Sequence, residues 1–143
     1  MANMTDYLEG QLVAHLFRTA TYTKPTVLAI ALSTSNTLDD TATGASMSEV
    51  TNANSYARQT LNPLDANWAA IAGNNGTTSN TPAITFPTAS GSWGNVQAVV
   101  ITDNATHGAG NALFYGNLSV AKTVTNGDTF SFAANALTIQ LDN

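Results

Sequence analysis

The chain has 143 residues, a net charge of −5 and a charged fraction of 9%, far below the ~25% usual for a soluble domain. Four basic residues, Arg18, Lys24, Arg58 and Lys122, cannot build the phosphate-neutralising stripe of a general nucleic-acid binder, nor grip an anionic membrane surface. With no cysteine, disulfides and thiolate metal sites are excluded.

The length predicts one domain, residues 1–143, with enough chain for a real core. Ser, Thr, Asn, Gly and Ala replace the missing charge. Apolar strands punctuate that composition throughout, so it is not a disordered one. A surface of Thr and Asn costs less to desolvate than one of Lys and Glu, which suits a protein held permanently against neighbours. No apolar run approaches the ~20 residues of a membrane span. The opening Met1-Ala-Asn-Met-Thr-Asp-Tyr-Leu-Glu9 has neither a basic nor an apolar region of a secretion signal.

Residues 5–19 are predicted to form the one helix. Leu8, Leu12 and Leu16, with Val13 and Phe17, fall on one face, and burying that stripe is worth roughly 1.5–3 kcal/mol per large side chain. Thr5 or Asn3 is placed to cap it, with Asp6 and Glu9 at the positive end of the dipole and Arg18 at the negative end. Thr26–Leu32 is apolar on both faces and predicts a central strand begun by Pro25.

Residues 33–54 form a long polar stretch containing Asp39, Asp40, Met47 and Glu49. A segment of this kind is usually functional or mobile, and it is expected to run over the outside of the fold. Short strands then follow at 55–61, around Trp68, at 83–86, at 96–102 and at 112–118. Turn clusters at 73–81, 90–94 and 103–110 separate them. Lys122–Phe132 reads as a hairpin about Asn126-Gly127-Asp128, with Phe130 and Phe132 alternating on its second arm. Leu137, Ile139 and Leu141 predict a closing strand, so that the region 122–141 locks the fold. About eight short strands and one amphipathic N-terminal helix make a mainly β protein, an antiparallel β-sandwich with a packed helix.

Chemistry is harder to find. His15 lies near the apolar helix face and reads as a partly buried histidine; His107 reads as a turn residue, since no serine sits in a Gly-x-Ser-x-Gly elbow. Asp39, Asp40 and Glu49 lack the rhythm of a calcium loop, and as a glycosidase pair they have no apolar pocket in view. Trp68, Trp93, Tyr56 and Tyr115 could line a sugar platform, but each lies beside or within a strand, and Trp93 between Ser92 and Gly94 can fold back over a turn. Gly73–Gly76 and Gly108–Gly110 are turns, not phosphate loops. The sequence thus predicts no catalytic residue, no cofactor and no metal.

Taken in order, Tyr7-Leu-Glu with Leu12 and His15–Arg18, Tyr22–Pro25, Ala31–Thr34, Tyr56-Ala-Arg58, Ile84–Pro87, Trp93–Val96, Leu113–Gly116 and Lys122–Ala133 resemble a family of small tailed-bacteriophage virion structural proteins, often labelled tail fibre proteins. The resemblance covers nearly the whole chain. It implies a non-enzymatic component of the phage particle, made in the bacterial cytoplasm and displayed on the virion. Low charge and the amphipathic helix favour a capsid decoration (cement) protein bound to the major capsid protein. The alternative is a tail-fibre or baseplate-associated protein that binds a host receptor or glycan. Tail proteins are the second expected partner, and a homo-oligomer such as a trimer is expected; nucleic acid and membrane are not. Residues 35–54 depart most from the family pattern. Contacts are therefore expected at Asp39, Asp40, Met47 and Glu49, and at Leu8 and Leu12 on any helix face left uncovered.

Overall fold

The computed structural model describes residues 3–71 and 76–141. Its strands are β1 (Asn3–Met4), β2 (Ala29–Ser33), β3 (Gln59–Thr60), β4 (Thr77–Ser79), β5 (Ile84–Thr85), β6 (Gly94–Thr102), β7 (Ala112–Val124), β8 (Ser131–Phe132) and β9 (Thr138–Gln140); the helix α1 is Asp6–Phe17. The main sheet has the order β1-β7-β6-β2-β3, and two ribbons, β4-β9 and β5-β8, accompany it. Every pairing is antiparallel. The mainly β expectation is met, with nine strands among the described residues where about eight were expected.

β2 is central and buried at all five positions, as its two-sided apolar sequence requires. Ile30 and Leu32 point to the larger core, with Val99 and Ile101 of β6 beside them. On that face lie the residues of the ribbons: Ile84 and Phe86, Phe130, and Leu137 and Ile139. The ribbons are thus the second layer of a sandwich. Ala31 and Val100 point to the opposite face, where Ala112, Met47, Leu38 and Tyr115 make a smaller core.

The C-terminal region departs from the expected hairpin. Thr125–Asp128 does turn the chain: Gly127 has φ +87°, and the Asp128 carboxylate accepts from the Thr125 N–H and hydroxyl at 2.8 and 2.9 Å. Those two bonds hold its pKa below the ordinary value. After the turn β8 pairs with β5, not with β7. β7 instead pairs along its length with β6 and, on its other edge, with the short β1, so the two long apolar strands claim each other. The closing strand is real, but it pairs with β4, within the expected 73–81 turn cluster, whose residues 73–75 lie outside the described residues. Leu137 and Ile139 are buried while Leu141 is exposed. Around Trp68 the described residues make a single bridge, from Trp68 to Asn80.

β7 is irregular twice. Between Val96↔Lys122 and Ala98↔Asn117, one residue of β6 faces four of β7, a bulge that carries exposed Val120 outward. Nearer its start, Ile101↔Phe114 is followed by Thr102↔Ala112, leaving Leu113 as the extra residue.

That second bulge anchors the helix. Thr5 is fully buried; its N–H donates to Leu113 O at 3.1 Å and its hydroxyl to Ala112 O at 2.6 Å. Thr5 therefore occupies the N-cap position without capping through its side chain, because the hydroxyl proton and its geometry serve the sheet. Asn3 lies in β1 rather than at a cap. The expected apolar stripe exists but is largely uncovered. Leu8 is buried and Leu12 half-buried, whereas Val13, Leu16 and Phe17 are exposed at 56, 70 and 80%. His15, expected partly buried, is exposed, with Nδ1 accepting from Tyr22 N–H.

Candidate functional site

The polar excursion after β2 is an ordered flap, not a loose loop on the outside. It leaves and returns beside β2: Thr34 N–H donates to Ser48 O at 3.0 Å, Val50 N–H to Leu32 O at 2.9 Å, and the Ser33 hydroxyl to Met47 O at 2.6 Å. Between those points it lays Leu38 and Met47 over the second face of the sheet. A strand apolar on both faces needs such a cover, and here an irregular segment supplies it.

One charged cluster fixes the flap. Arg58 Nε and Nη2 donate to the two oxygens of Glu49 at 2.8 and 2.7 Å. The Arg58 side chain is fully buried and that of Glu49 is 4% exposed. Nη2 also donates to Gly44 O, and Nη1 to Thr102 Oγ1, Asn104 O and Ala109 O. The guanidinium fork therefore ties together the flap, the end of β6 and the 103–110 turn. Tyr56 joins from below: its hydroxyl donates to Glu49 Oε1 at 3.0 Å and accepts from Leu32 N–H at 2.9 Å.

Burial alone would push the Glu49 carboxyl up. The hydrogen bonds from Arg58, Gly108 N–H and Tyr56, with the Arg58 charge, outweigh it, and the net pKa is lowered. Burial pushes the Tyr56 phenol well above its usual range, and the neighbouring Glu49 charge adds to that. Tyr56 thus stays neutral and serves as a hydrogen-bond relay rather than an acid.

The expected contact residues scatter. Asp39 and Asp40 are exposed. Asp39 Oδ1 closes a local turn with Thr41, and Asp40 O accepts from Asp6 N–H, joining flap to helix. Met47 is fully buried, Glu49 is committed to Arg58, and Leu8 is buried. Those three serve the fold in this conformation. Leu12 is half-buried. Among the described residues, no three of His, Asp and Glu come together as a cation cage. His107 Nε2 lies 2.9 Å from Val50 O and 3.7 Å from Glu49 Oε2, a turn residue bound back to the flap.

The aromatic residues make a core, not a platform. Tyr56 and Trp93 meet edge to face at 5.3 Å, and Phe86 lies within 6.4 Å of both. Trp93 is 5% exposed, its indole N–H donating to Asn54 O at 2.9 Å. Trp68 is half-buried and donates to Leu61 O.

Two surface features were not legible in the sequence. The first is an open apolar groove of about 690 Å³ walled by Leu28, Trp68, Leu113, Phe114 and Ile139, with Leu64, Ile71 and Leu141 at its exposed rim. Its walls come from four separate parts of the chain with no common period. The second is the helix end at Val13, Leu16 and Phe17, where the period was visible but not the lack of cover.

A comparison with family models finds a match over residues 3–140 to Gp80, described as podophage GP4 fiber I protein gp80. No curated protein matches the chain. No helix among the described residues is long and apolar enough to cross a membrane.

Proposed function

The chain belongs to the podophage fiber I protein family, a family of phage structural proteins, and from that premise we propose that it is a non-enzymatic component of a phage tail fibre. The observation that carries this reading is the extent of the match, residues 3–140 of 143. Head decoration, the location favoured on composition, has no support from that match. The fibre alternative fits it better.

The proposed mechanism is assembly. The flap, clamped by the Arg58–Glu49 pair, gives a short chain a rigid two-faced sheet, and the remaining exposed surface is low in charge and inexpensive to cover. The best acid–base candidates have other work: Glu49 holds Arg58, and His107 holds Val50 O. Its partners are tail proteins before the major capsid protein, together with further copies of itself.

Locating the protein on intact particles by cryo-electron microscopy tests this. Density at the tail fibres is expected. Stoichiometric density on the head lattice, or retention on purified tail-less heads, would overturn the fibre reading in favour of decoration.

A further inference from the structure

We propose that the apolar groove receives the helix end of a second copy of this chain, Phe17 and Leu16 entering between Leu64, Ile71 and Trp68. The inference deepens the assembly reading above and rests on it only for its biological setting.

Seven large apolar side chains are exposed among the described residues. Three, Val13, Leu16 and Phe17, cluster at the end of α1; three, Leu64, Ile71 and Leu141, stand at the groove rim. Only Val120 belongs to neither. In a chain so polar, such concentration into two patches marks contact surfaces. The patches differ in shape as partners must. One is a convex helix end carrying a large aromatic side chain, the other a concave trough with an aromatic wall.

Within one chain the two do not meet. No residue of α1 lines the groove, and the start of the helix is pinned by Thr5 to β7 and by Asp6 N–H to Asp40 O. Charge complements shape. Arg18 directly follows Phe17, and among the described residues Asp65 is the one ionisable side chain lining the groove. Both are exposed, and among the described residues neither makes an ion pair within the chain. Helix end into groove is a head-to-tail contact, closing as a reciprocal pair or as a ring.

Sedimentation and light scattering of the full chain, from micromolar to hundreds of micromolar, test the contact. The wild type is expected to associate reversibly. Phe17→Glu and Leu64→Glu, both at exposed positions, should each raise the dissociation constant at least about tenfold with an unchanged circular dichroism spectrum. Mixing the two variants restores one intact helix–groove pair and should yield a heterodimer that neither forms alone. Arg18→Asp and Asp65→Arg should each weaken association, and the double variant should recover it. A wild type that stays monomeric throughout overturns the proposal. So does association that survives Leu64→Glu, or a mixture that shows no recovery. The readout is in solution, so its failure is distinct from a failure to find the protein on fibres.

Discussion

Arg58 faces both carboxylate oxygens of Glu49, at 2.8 and 2.7 Å, almost wholly shielded from solvent. Glu49 ends the flap, where it bridges Ser33 of β2, and Arg58 precedes β3, which pairs with Ala29 and Ile30 of β2, so the pair joins two segments that each meet β2 but share no ladder with each other. Removing one partner leaves the other charge buried and alone. Arg58→Met should therefore cost about 3–5 kcal/mol. Arg58→Lys should recover little, because an ammonium cannot reproduce the fork. The double variant Arg58→Met with Glu49→Leu should be less destabilised than Arg58→Met alone. Urea unfolding of the four proteins gives the comparison.

The same pair sets an acid limit. The Glu49 pKa is lowered in the folded state, so folding favours the ionised form. Its contribution is present above the unfolded carboxyl value of about 4.3 and is lost as pH falls through the folded one. Stability should decline below about pH 4, and the decline should be shallower in the Arg58→Met, Glu49→Leu double variant. Thermal unfolding between pH 7 and pH 3 measures the difference. A slope equal in both proteins would remove Glu49 as its source.

The family-like triplet Tyr56-Ala-Arg58 was visible in the sequence, but its meaning was not. Its partner Glu49 stands nine positions back in a stretch with no periodic pattern. Only the return of the flap beside β2 brings the two together. Strand type was legible wherever apolar runs were strong, as in β2, β6 and β7, because local pattern and burial agree there. Pairing was not: Val124 and Phe130 flank a good turn, yet the partners of β8 and β9 lie tens of residues away in β5 and β4. The helix stripe was read correctly as a pattern and wrongly as a buried face. Periodicity reports which side is apolar, not what covers it.

Met47 tests whether the flap is a packed layer. It is fully buried against Ala31, Val100 and Ala112. Met47→Ala should cost about 2–5 kcal/mol through lost burial and the cavity left behind. Hydrogen exchange should quicken first in residues 34–48, since the flap loses its one large fully buried anchor while the β6-β7 ladder is untouched. Uniform acceleration across the sheet would show instead that flap and sheet open as one unit.

Gly44 tests the same layer by close approach. A Cβ there would press on the carbonyl oxygens of Ala109 and Gly110, which are backbone and cannot rotate away. Gly44→Ala should lift the flap from the 103–110 turn and lengthen the Arg58 contacts on both sides. The expected loss is about 1–3 kcal/mol. A melting temperature equal to that of the wild type would mean the turn can yield.

Asn80 holds the opposite end of the molecule. It is fully buried, its amide donating to Pro82 O and Ala133 O, both at 2.8 Å, while its carbonyl accepts from Leu137 N–H at 2.8 Å. Its own backbone N–H donates to Leu137 O. One side chain thus fastens the β4-β9 ribbon to the segment after β8. Asn80→Asp keeps the shape and the acceptor but deletes both donors. Pro82 O then loses this donor and Ala133 O keeps only the Ala136 N–H; an acceptor left unpaired costs up to about 1–3 kcal/mol, and an ionised carboxylate facing two carbonyl oxygens adds repulsion. Burial and those oxygens favour the neutral acid in the folded state, so the pKa of the new carboxyl rises above the unfolded value of about 3.9. The penalty is then full at pH 7 and shrinks as pH falls through that raised value, because the protonated acid regains one donor. Relative to wild type at each pH, Asn80→Asp should be most destabilised at neutral pH and recover part of the loss near pH 4–5, whereas Asn80→Leu should show a gap that does not vary with pH. Parallel urea titrations of the three proteins separate these outcomes; equal behaviour of Asp and Leu would mean that water, not Asn80, satisfies the two carbonyls.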